Sequence, residues 1–443
     1  MIANKSRNIF SVILCLLLIV AGVLAGCESP QIRTGNLVPV TEDIAAFADS
    51  SDEIEVIANI TITGWYEPAC TKNLMAFLAE KYPEYSFEYK YLSKRSYESL
   101  IDSQLSSKLA TDIVMLNPSM TQRHAKNGNI EDLSRFSDKF NEEVIEEFSY
   151  EGTTYAVPST SEYRCFFYNR DIFEKTGQKM PSSYKSFLDF CDYLYKDMKI
   201  RPMSAGLKNS ENVADFALAI LASGYFSTPD GASFGDRLAA GEASFKDEVW
   251  PYMSKFQDMC IHHVLTKDMC IMDDAAAIKE FASGESFMYM GLLEDYNRIL
   301  RENPDIRLGT MAFNSELGGK RILVGGSNCG FAVNKYSQNK DQAVKIVALL
   351  ATEEGQKALW SDRVGSQTYL KGVSFDYPDF FDSIRPALDD GKMYMPWYEW
   401  GEHGHEIYIA LGDELQKVIT GERSMKIAFQ VLDDKIDILN RDN

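Results

Sequence analysis

The first third of the chain alternates between the hydrophobic periods of strands and helices. Apolar and polar side chains alternate over residues 54–62, which is the period of a strand with one buried face. Residues 74–82 carry apolar side chains three and four positions apart, which is typical of an amphipathic helix. The two patterns repeat at 87–91 and 97–105, and the apolar run 113–116 indicates a buried strand. This order predicts a parallel sheet with crossover helices.

The rest of the chain shows the same alternation with longer helical segments. Helical periods cover residues 181–198 and 275–284, and two more near the C-terminus cover 407–418 and 425–439. A short strand pattern at 330–333 lies between these two groups. The chain as a whole is therefore expected to be an α/β protein.

Two candidate ligand-binding residues directly follow predicted strands. Trp65 comes after the first strand, and Asn117 comes after the third. The carboxyl ends of parallel strands meet at one edge of a sheet, which is where open α/β sheets bind ligands. We therefore expect both side chains to line a ligand site.

Composition limits the kinds of partner. The chain has 443 residues, and this length exceeds one hydrophobic core and predicts two or three domains or lobes. The formal charge of −20 repels a phosphate backbone, so nucleic acid is not an expected partner. The sequence has five His and neither a Cys-x-x-Cys nor a His-Glu-x-x-His motif, which argues against a zinc enzyme and predicts no metal site.

The N-terminus resembles a bacterial lipoprotein signal. Two basic residues precede an uncharged, mostly apolar run over residues 8–27, which closes on small residues directly before Cys27. Such a signal implies removal of residues 1–26 and a lipid on Cys27, and the polar segment 27–52 is typical of a flexible tether. An uncleaved transmembrane anchor is the alternative. In both cases the rest of the chain is extracytoplasmic and held at the membrane.

Several segments, taken in order, resemble one protein family. The segments are 60–65 with Lys81, Tyr82 and Pro83, then 108–114, 152–158, 167–181, 281–291, 325–332 and 341–352. Together they resemble the extracellular solute-binding proteins of bacterial ABC transporters, and within them the carbohydrate-type family 1, which includes proteins similar to maltose-binding protein. The match is strongest at 152–158 and 167–173. Ala110 and Thr111 depart from the family pattern, which has glycine and proline in this strand entry.

The resemblance implies an α/β fold of two lobes, like the periplasmic binding proteins, with parallel-type sheets flanked by helices. Two or three chain segments would cross between the lobes and form a hinge that closes on the ligand. Lobe 1 would take residues 53–158 and 325–360, and lobe 2 would take 159–324 and 361–443. The glycine pair at 325–326 would lie at the hinge, because glycine absorbs large backbone changes without a Cβ clash.

The resemblance also implies a function. The protein would be a monomeric, lipid-anchored receptor that captures a carbohydrate, in particular an oligosaccharide, and delivers it to the permease subunits of an ABC transporter. It would bind its ligand without catalysis, and without a cofactor or a metal ion.

Residue types select the candidates for ligand contact. A sugar presents C–H faces that stack on aromatic rings and hydroxyls that need donors and acceptors. The aromatic candidates are Trp65, Tyr163, Tyr225, Trp397, Tyr398 and Trp400. The polar candidates are Asn117, Arg164, Glu294, Ser327 and Asn328. Packing under the following helix is the alternative for Trp397 and Trp400, which stand three positions apart.

Other functions stay open from the sequence. A peptide or another polar solute is the alternative ligand, and a converging Asp and Arg pair would favour it. A secreted glycosidase needs two carboxylates about 5–10 Å apart, and Glu294 with Glu399 is an arbitrary choice among 65 acidic residues. His403 and His405 flank a glycine in a predicted loop, where exposure is expected rather than metal binding.

Overall fold

The computed structural model describes residues 56–293, 295–311, 323–389, 393–401 and 403–441. The predicted signal at 1–26, the tether at 27–52, the lipidation site Cys27 and the candidate Glu294 lie outside the described residues. Within the described ranges, no helix has both the length and the apolar character needed to cross a membrane.

Short strands occur along most of the described chain. They are β1 (Ala58–Gly64), β2 (Tyr85–Tyr91), β3 (Ile113–Leu116), β4 (Ser149–Tyr150), β5 (Thr153–Thr154), β6 (Val157–Pro158), β7 (Glu162–Asn169), β8 (Arg201–Ser204), β9 (Ser286–Leu292), β10 (Leu308–Met311), β11 (Leu323–Gly326), β12 (Gly330–Val333) and β13 (Met393–Tyr394).

Helices alternate with these strands, as the hydrophobic periods predicted. They are α1 (Lys72–Lys81), α2 (Lys94–Ser106), α3 (Pro118–Lys126), α4 (Glu142–Glu147), α5 (Arg170–Thr176), α6 (Tyr184–Tyr193), α7 (Ser210–Ser223), α8 (Pro229–Ala232), α9 (Phe234–Ala239), α10 (Ser254–Ile261), α11 (Asp274–Ala282), α12 (Asp295–Glu302), α13 (Lys340–Leu350), α14 (Glu353–Asp362), α15 (Arg385–Asp389), α16 (Gly404–Ile419) and α17 (Met425–Arg441).

The first sheet has the strand order β2–β1–β3–β12–β6. β1 runs parallel to both β2 and β3, with Ile62 opposite Ile113, which confirms the predicted parallel arrangement of the first three strands. β12 is antiparallel to β3 and to β6. Every residue of β3 is buried, as its unbroken apolar run predicted. The parallel strands bring their carboxyl ends to one edge, where Trp65 and Asn117 follow β1 and β3.

The second sheet has the order β13–β11–β7–β9–β8, and β10 also pairs with β7. β7 is antiparallel to β9 along one edge and to β11 and β10 along the other. Parallel pairs form only at the flanks of the sheet, where β8 runs with β9 and β13 runs with β11 among the described strands. The second sheet is therefore mixed, whereas parallel-type sheets were expected.

Three passages of chain link the two sheets. Residues 159–161 join β6 of the first sheet to β7 of the second, and residues 327–329 join β11 back to β12. The third passage leads from α14, which packs on α1, to Phe381 in a core of the second sheet. The passages agree with the two or three crossing segments that the resemblance implies.

Each sheet has its own hydrophobic core. Ile60, Ile113 and Phe331 belong to the core under the first sheet, whose helices include α1 and α13. Phe166 and Phe216 belong to the largest core of the second sheet, where α7, α16 and α17 pack together. The two cores are separate, so the space between the sheet groups is lined by side chains from both of them.

Candidate ligand-binding cleft

A cavity lies between the two sheets, with a volume of about 850 Å³ when the space at its open mouth is included. We call it the main cavity, and its lining includes Trp65, Lys94, Tyr97, Asn117, Ser119, Glu162, Tyr163, Arg164, Glu211, Asp215, Gly325, Asn328, Met395, Trp397, Tyr398, His405 and Tyr408. Both sheets, the passages between them and the helices α2, α3, α7 and α16 therefore contribute to one site.

Trp65 forms the aromatic part of the wall on the side of the first sheet. Its ring rests edge-on against Tyr97, with 4.9 Å between ring centroids and 82° between the planes. The Tyr97 hydroxyl donates hydrogen bonds to the carbonyls of Met115 (2.7 Å) and Thr63 (3.0 Å). These carbonyls belong to strands of the first sheet. Trp65 therefore packs against a ring whose position is fixed by the sheet.

Trp397 and Tyr398 form the aromatic wall on the other side. Both stand on the short 3-10 helix Pro396–Glu399. Trp397 stacks on Tyr408 of α16, with 4.3 Å between centroids and 25° between planes, and only 9% of its surface is exposed. The Tyr398 hydroxyl donates to Asn328 Oδ1 at 3.0 Å. The two neighbouring rings are thus fixed by two different elements, α16 and the passage after β11.

A buried ion pair lies beneath this wall. Arg164 of β7 pairs with Asp215 of α7. The Tyr408 hydroxyl donates to the other carboxylate oxygen of Asp215 at 2.7 Å. Burial acts to lower the pKa of the Arg164 guanidinium, but the charge of Asp215 outweighs it and raises that pKa. Arg164 is therefore charged, and Asp215 already has a donor on each oxygen.

Glu162 provides a second charged group, where β7 leaves the first passage. Glu162 is 4% exposed, and its carboxylate lies 3.4 Å from Arg363 Nη2 and 3.6 Å from Lys94 Nζ. Burial acts to raise the pKa of Glu162, but the charges of Lys94 and Arg363 and a hydrogen bond from Asn328 lower it below the usual value. Glu162 is therefore an ionised acceptor next to Tyr398 and Asn328.

Asn117 is placed by the start of a helix. It is the N-cap of α3, and its Oδ1 accepts a hydrogen bond from the Met120 backbone N–H at 2.8 Å. Pro118 occupies the first helical position, which suits the fixed φ of proline. Because the cap uses the amide oxygen, the amide nitrogen is the part of Asn117 that can donate to a ligand.

The sequence matches a family model described as bacterial extracellular solute-binding protein over residues 74–373. The chain belongs to this family. Extracellular solute-binding proteins serve ABC transporters and act outside the cytoplasm, so the chain is an extracytoplasmic receptor of that kind. A search of curated proteins found no match to the sequence.

Solved structures of solute-binding proteins share the fold. A family 1 extracellular solute-binding protein from Bifidobacterium longum subsp. infantis aligns over 85% of this chain and 98% of its own, with a TM-score of 0.64 and 21% identity. A raffinose-bound protein aligns over 86% and 99%, with a TM-score of 0.70 and 17% identity. A maltose-bound protein of T. maritima aligns over 86% and 100%, with a TM-score of 0.70 and 16% identity. These similarities confirm the α/β, two-lobed solute-binding fold.

Most candidate residues of this solute-binding protein lie together. Those that line the main cavity are Trp65, Asn117, Tyr163, Arg164, Asn328, Trp397 and Tyr398. Tyr163 is 1% exposed, and its hydroxyl donates to the Gly365 carbonyl at 2.7 Å, so it braces the third passage as well as the cavity.

Two aromatic candidates lie in the core of the second sheet instead. Tyr225 follows the end of α7, and its hydroxyl donates to Glu248 Oε2 at 2.5 Å. Trp400 is 2% exposed and packs edge-on against Phe245, with 5.2 Å between centroids. Trp400 therefore follows the packing alternative, whereas Trp397 both packs on α16 and lines the main cavity. Glu294 lies outside the described residues.

Ser327 lines a neighbouring space, which we call the second cavity. Its lining is Pro118, Ser119, Gln122, Glu147, Gly325, Gly326, Ser327, Met393, Met395, Tyr398 and Glu399. Its volume is also about 850 Å³ with the open space included. Asn328, the next residue along the chain, lines the main cavity. Neighbouring residues of one passage therefore line two different cavities.

Sequence reasoning missed several polar residues of the main cavity. Lys94 is the first residue of α2, which follows β2. Its position after the end of a parallel strand, the feature that indicated Trp65 and Asn117, could have indicated Lys94 as well. Asp215 and Tyr408 stand inside helices whose buried faces are mostly apolar, and nothing local in the sequence marks them as ligand-facing. The prediction of a loop at His405 is wrong, because His405 lies in the first turn of α16 and lines the main cavity.

Proposed function

We propose that this protein is the carbohydrate receptor of an ABC transporter. It captures a sugar, in particular an oligosaccharide, and delivers it to permease subunits in the same membrane. The observation that carries the proposal is the main cavity, where Trp65 on one wall faces a site shared with Trp397 and Tyr398 on the other. Aromatic faces beside fixed donors and acceptors are what a pyranose ring requires.

The polar groups favour recognition of neutral hydroxyls. Glu162 is an ionised acceptor, the amide nitrogen of Asn117 is not used by the helix cap, and Lys94 is a donor in the lining of the cavity. Groups held by other contacts bind a ligand with little loss of side-chain entropy. The aromatic rings would set affinity, and these polar groups would set the choice among stereoisomers.

Closure of two lobes is part of the proposal. Lobe 1 would comprise residues 53–158 and 325–360, and lobe 2 would comprise 159–324 and 361–443. The passages at 159–161 and 327–329 are three residues long, which is the kind of short segment on which hinge closure depends. The receptor would act as a monomer, bind without catalysis, and need no cofactor or metal ion.

Anchoring through a lipid on Cys27 is the remaining part. Replacing Cys27 with Ser should leave ligand binding unchanged and release the protein from membranes into the soluble fraction. A C27S variant that stays with the membrane fraction would contradict lipidation and favour a transmembrane anchor.

A peptide or another polar solute is the second candidate ligand. The observation that favours it is the Arg164–Asp215 pair in the main cavity, since such a pair could bind the charged ends of a peptide. In this structure, however, Arg164 and Tyr408 already donate to both oxygens of Asp215. The pair therefore serves to orient the aromatic wall in our proposal.

Thermal unfolding in the presence of ligands tests the proposal. The protein from Glu28 onwards is heated with mono- and oligosaccharides, and with peptides, amino acids and metal salts as controls. A ligand at 100 times its dissociation constant stabilises by about 2.7 kcal/mol, which is visible as a shift in Tm. Shifts with oligosaccharides support the proposal, whereas shifts with peptides or metals alone contradict it.

A further inference from the structure

The second cavity adjoins the main cavity through shared walls. Ser119, Gly325, Met395 and Tyr398 line both spaces. The two cavities are therefore neighbours, with Tyr398 lining both. A chain of at least two sugar units is the kind of ligand that could fill both.

Two buried polar oxygens of the second cavity have no hydrogen-bond partner among the residues that the structure describes. Ser327 is 3% exposed, and its Oγ has no hydrogen-bond partner within the described residues. The same is true of Oε2 of Glu147, at the last position of α4. An unpaired buried polar group costs about 1–3 kcal/mol, and a ligand that donates hydrogen bonds would remove that cost. The carboxylate oxygen of Glu147 accepts hydrogen bonds, and the Ser327 hydroxyl can accept one as well as donate one, so a ligand donor could satisfy both.

The charged residues in the described lining of the second cavity have one sign. Its described lining has two carboxylates, Glu147 and Glu399, and no Lys, Arg or His. The ionisable groups that act on Glu147 are Glu143 one turn earlier on α4 and the nearby phenols of Tyr369 and Tyr398. None of these groups is basic. An anionic unit would be repelled here, while a cation would supply both a counter-charge and several donors.

We propose that the second cavity is a subsite for a positively charged amino group on the ligand, with Glu147 as its counter-ion and Ser327 as a further acceptor. The solute would then be an oligosaccharide with one unit between the aromatic walls of the main cavity and an amino sugar unit beyond Tyr398. This inference rests on the proposed carbohydrate function and adds the chemical class of the second unit.

Calorimetry with matched sugars tests the subsite. Purified full-length protein is titrated at pH 7 with β-1,4-linked glucosamine trisaccharide and with cellotriose, which has hydroxyls in place of the amino groups. Maltotriose serves as a second neutral sugar. We expect the amino trisaccharide to bind at least tenfold more tightly than cellotriose. Equal or weaker binding of the amino sugar, including no binding of it, overturns the inference.

Variants connect the preference to Glu147. Glu147→Gln should reduce the preference for the amino trisaccharide over cellotriose to less than twofold. Glu146→Gln is the matched control, since Glu146 is its exposed neighbour on α4, and this variant should keep the tenfold preference. A preference that survives in E147Q would overturn the assigned role of Glu147.

The pH dependence gives a readout that a structural role would not produce. Burial and the charge of Glu143 raise the pKa of Glu147 to about 7, so its negative charge is lost as the pH falls below 7. The amino-sugar preference of the wild type should therefore decrease between pH 7 and pH 5, and E147Q should show no such change. A preference that grows toward pH 5 would contradict the proposal.

The outcomes separate the two proposals. Binding of cellotriose or maltotriose without any preference for the amino sugar overturns the subsite and leaves the carbohydrate receptor standing. If no sugar binds and peptides do, both proposals fail.

Discussion

Trp397 stacks on Tyr408 with 4.3 Å between ring centroids, and the Tyr408 hydroxyl is bonded to Asp215, the ion-pair partner of Arg164. One chain of contacts therefore runs from the aromatic wall through α16 and α7 to β7, the central strand of the second sheet. The ring that would stack on the ligand has its orientation set before the ligand arrives. Such preorganisation lowers the entropy lost on binding.

Removal of the Trp397 ring should weaken sugar binding without changing the fold. We expect Trp397→Ala to reduce affinity at least tenfold, which corresponds to about 1.4 kcal/mol, because the ligand loses an aromatic face. Calorimetry with the sugar identified by thermal shift measures the change, and circular dichroism checks the fold. Trp250→Ala is the control, since Trp250 is 40% exposed and does not line either cavity. Unchanged affinity in W397A would remove this residue from the site.

Breaking the buried ion pair should destabilise the protein strongly. Asp215→Asn leaves the Arg164 guanidinium buried without its counter-charge, and we expect a loss of about 3–5 kcal/mol in the free energy of unfolding. Tyr408→Phe removes one hydrogen bond to the same carboxylate and should cost only about 1 kcal/mol. Urea unfolding monitored by fluorescence measures both. Equal losses in the two variants would contradict a dominant role for the ion pair.

The two glycines at the end of β11 should respond differently to a methyl group. A Cβ on Gly325 would collide with the Glu162 carbonyl and lie 2.6 Å from the Tyr163 Cα, and these backbone atoms cannot move aside easily. Gly325→Ala should therefore lower the free energy of unfolding by about 1–3 kcal/mol. A Cβ on Gly326 would first meet Met395 at 3.6 Å, so Gly326→Ala should stay within about 0.5 kcal/mol of wild type. Thermal denaturation of both variants measures this difference in stability, and equal losses would contradict the prediction.

Glu147 should make the stability of the unliganded protein depend on pH. Its pKa is about 7 in the folded protein, above the usual 4.5, so the folded state holds this proton more tightly than the unfolded state does. The contribution is fully present below about pH 4.5 and is lost as the pH rises through 7. The upper bound on the loss is about 3 kcal/mol.

Urea titrations of wild type and Glu147→Gln at pH 5 and pH 8 measure this dependence. Glutamine cannot ionise, so E147Q should gain stability relative to wild type as the pH rises. Glu146→Gln should follow the wild type, because Glu146 is exposed. A wild type that becomes more stable than E147Q toward pH 8 would show that the carboxylate has a stabilising partner.

Strand and helix positions in the first sheet could be predicted because they depend on local periods. The run at 113–116 forms β3, and the helical period at 74–82 forms α1, which ends at Lys81 just before Tyr82 and Pro83. The mixed pairing in the second sheet could not be predicted in this way. Strand direction there depends on which distant segments lie beside β7, and β11 is more than 150 residues away from it.

Some residues of the candidate site could likewise be predicted from the sequence, and others could not. Trp65 and Asn117 follow strand ends, so sequence order was enough to place them at the edge of the first sheet. Tyr225 and Trp400 have the same residue types as true wall residues, and only packing against Glu248 and Phe245 distinguishes them. Residue type alone cannot decide between a core and a cavity, since an aromatic ring gains free energy from burial in either place.

The sequence by itself determined the α/β class, the membership in the solute-binding family and the approximate positions of seven residues of the main cavity, because these depend on periodicity and on ordered local motifs. Only the tertiary structure decided that Asp215 and Tyr408 join Arg164 and Trp397, and that Glu147 and Ser327 meet at one second cavity. These contacts join residues far apart in the chain. Their energies come from burial and paired charges, which exist only after the two sheets have folded together.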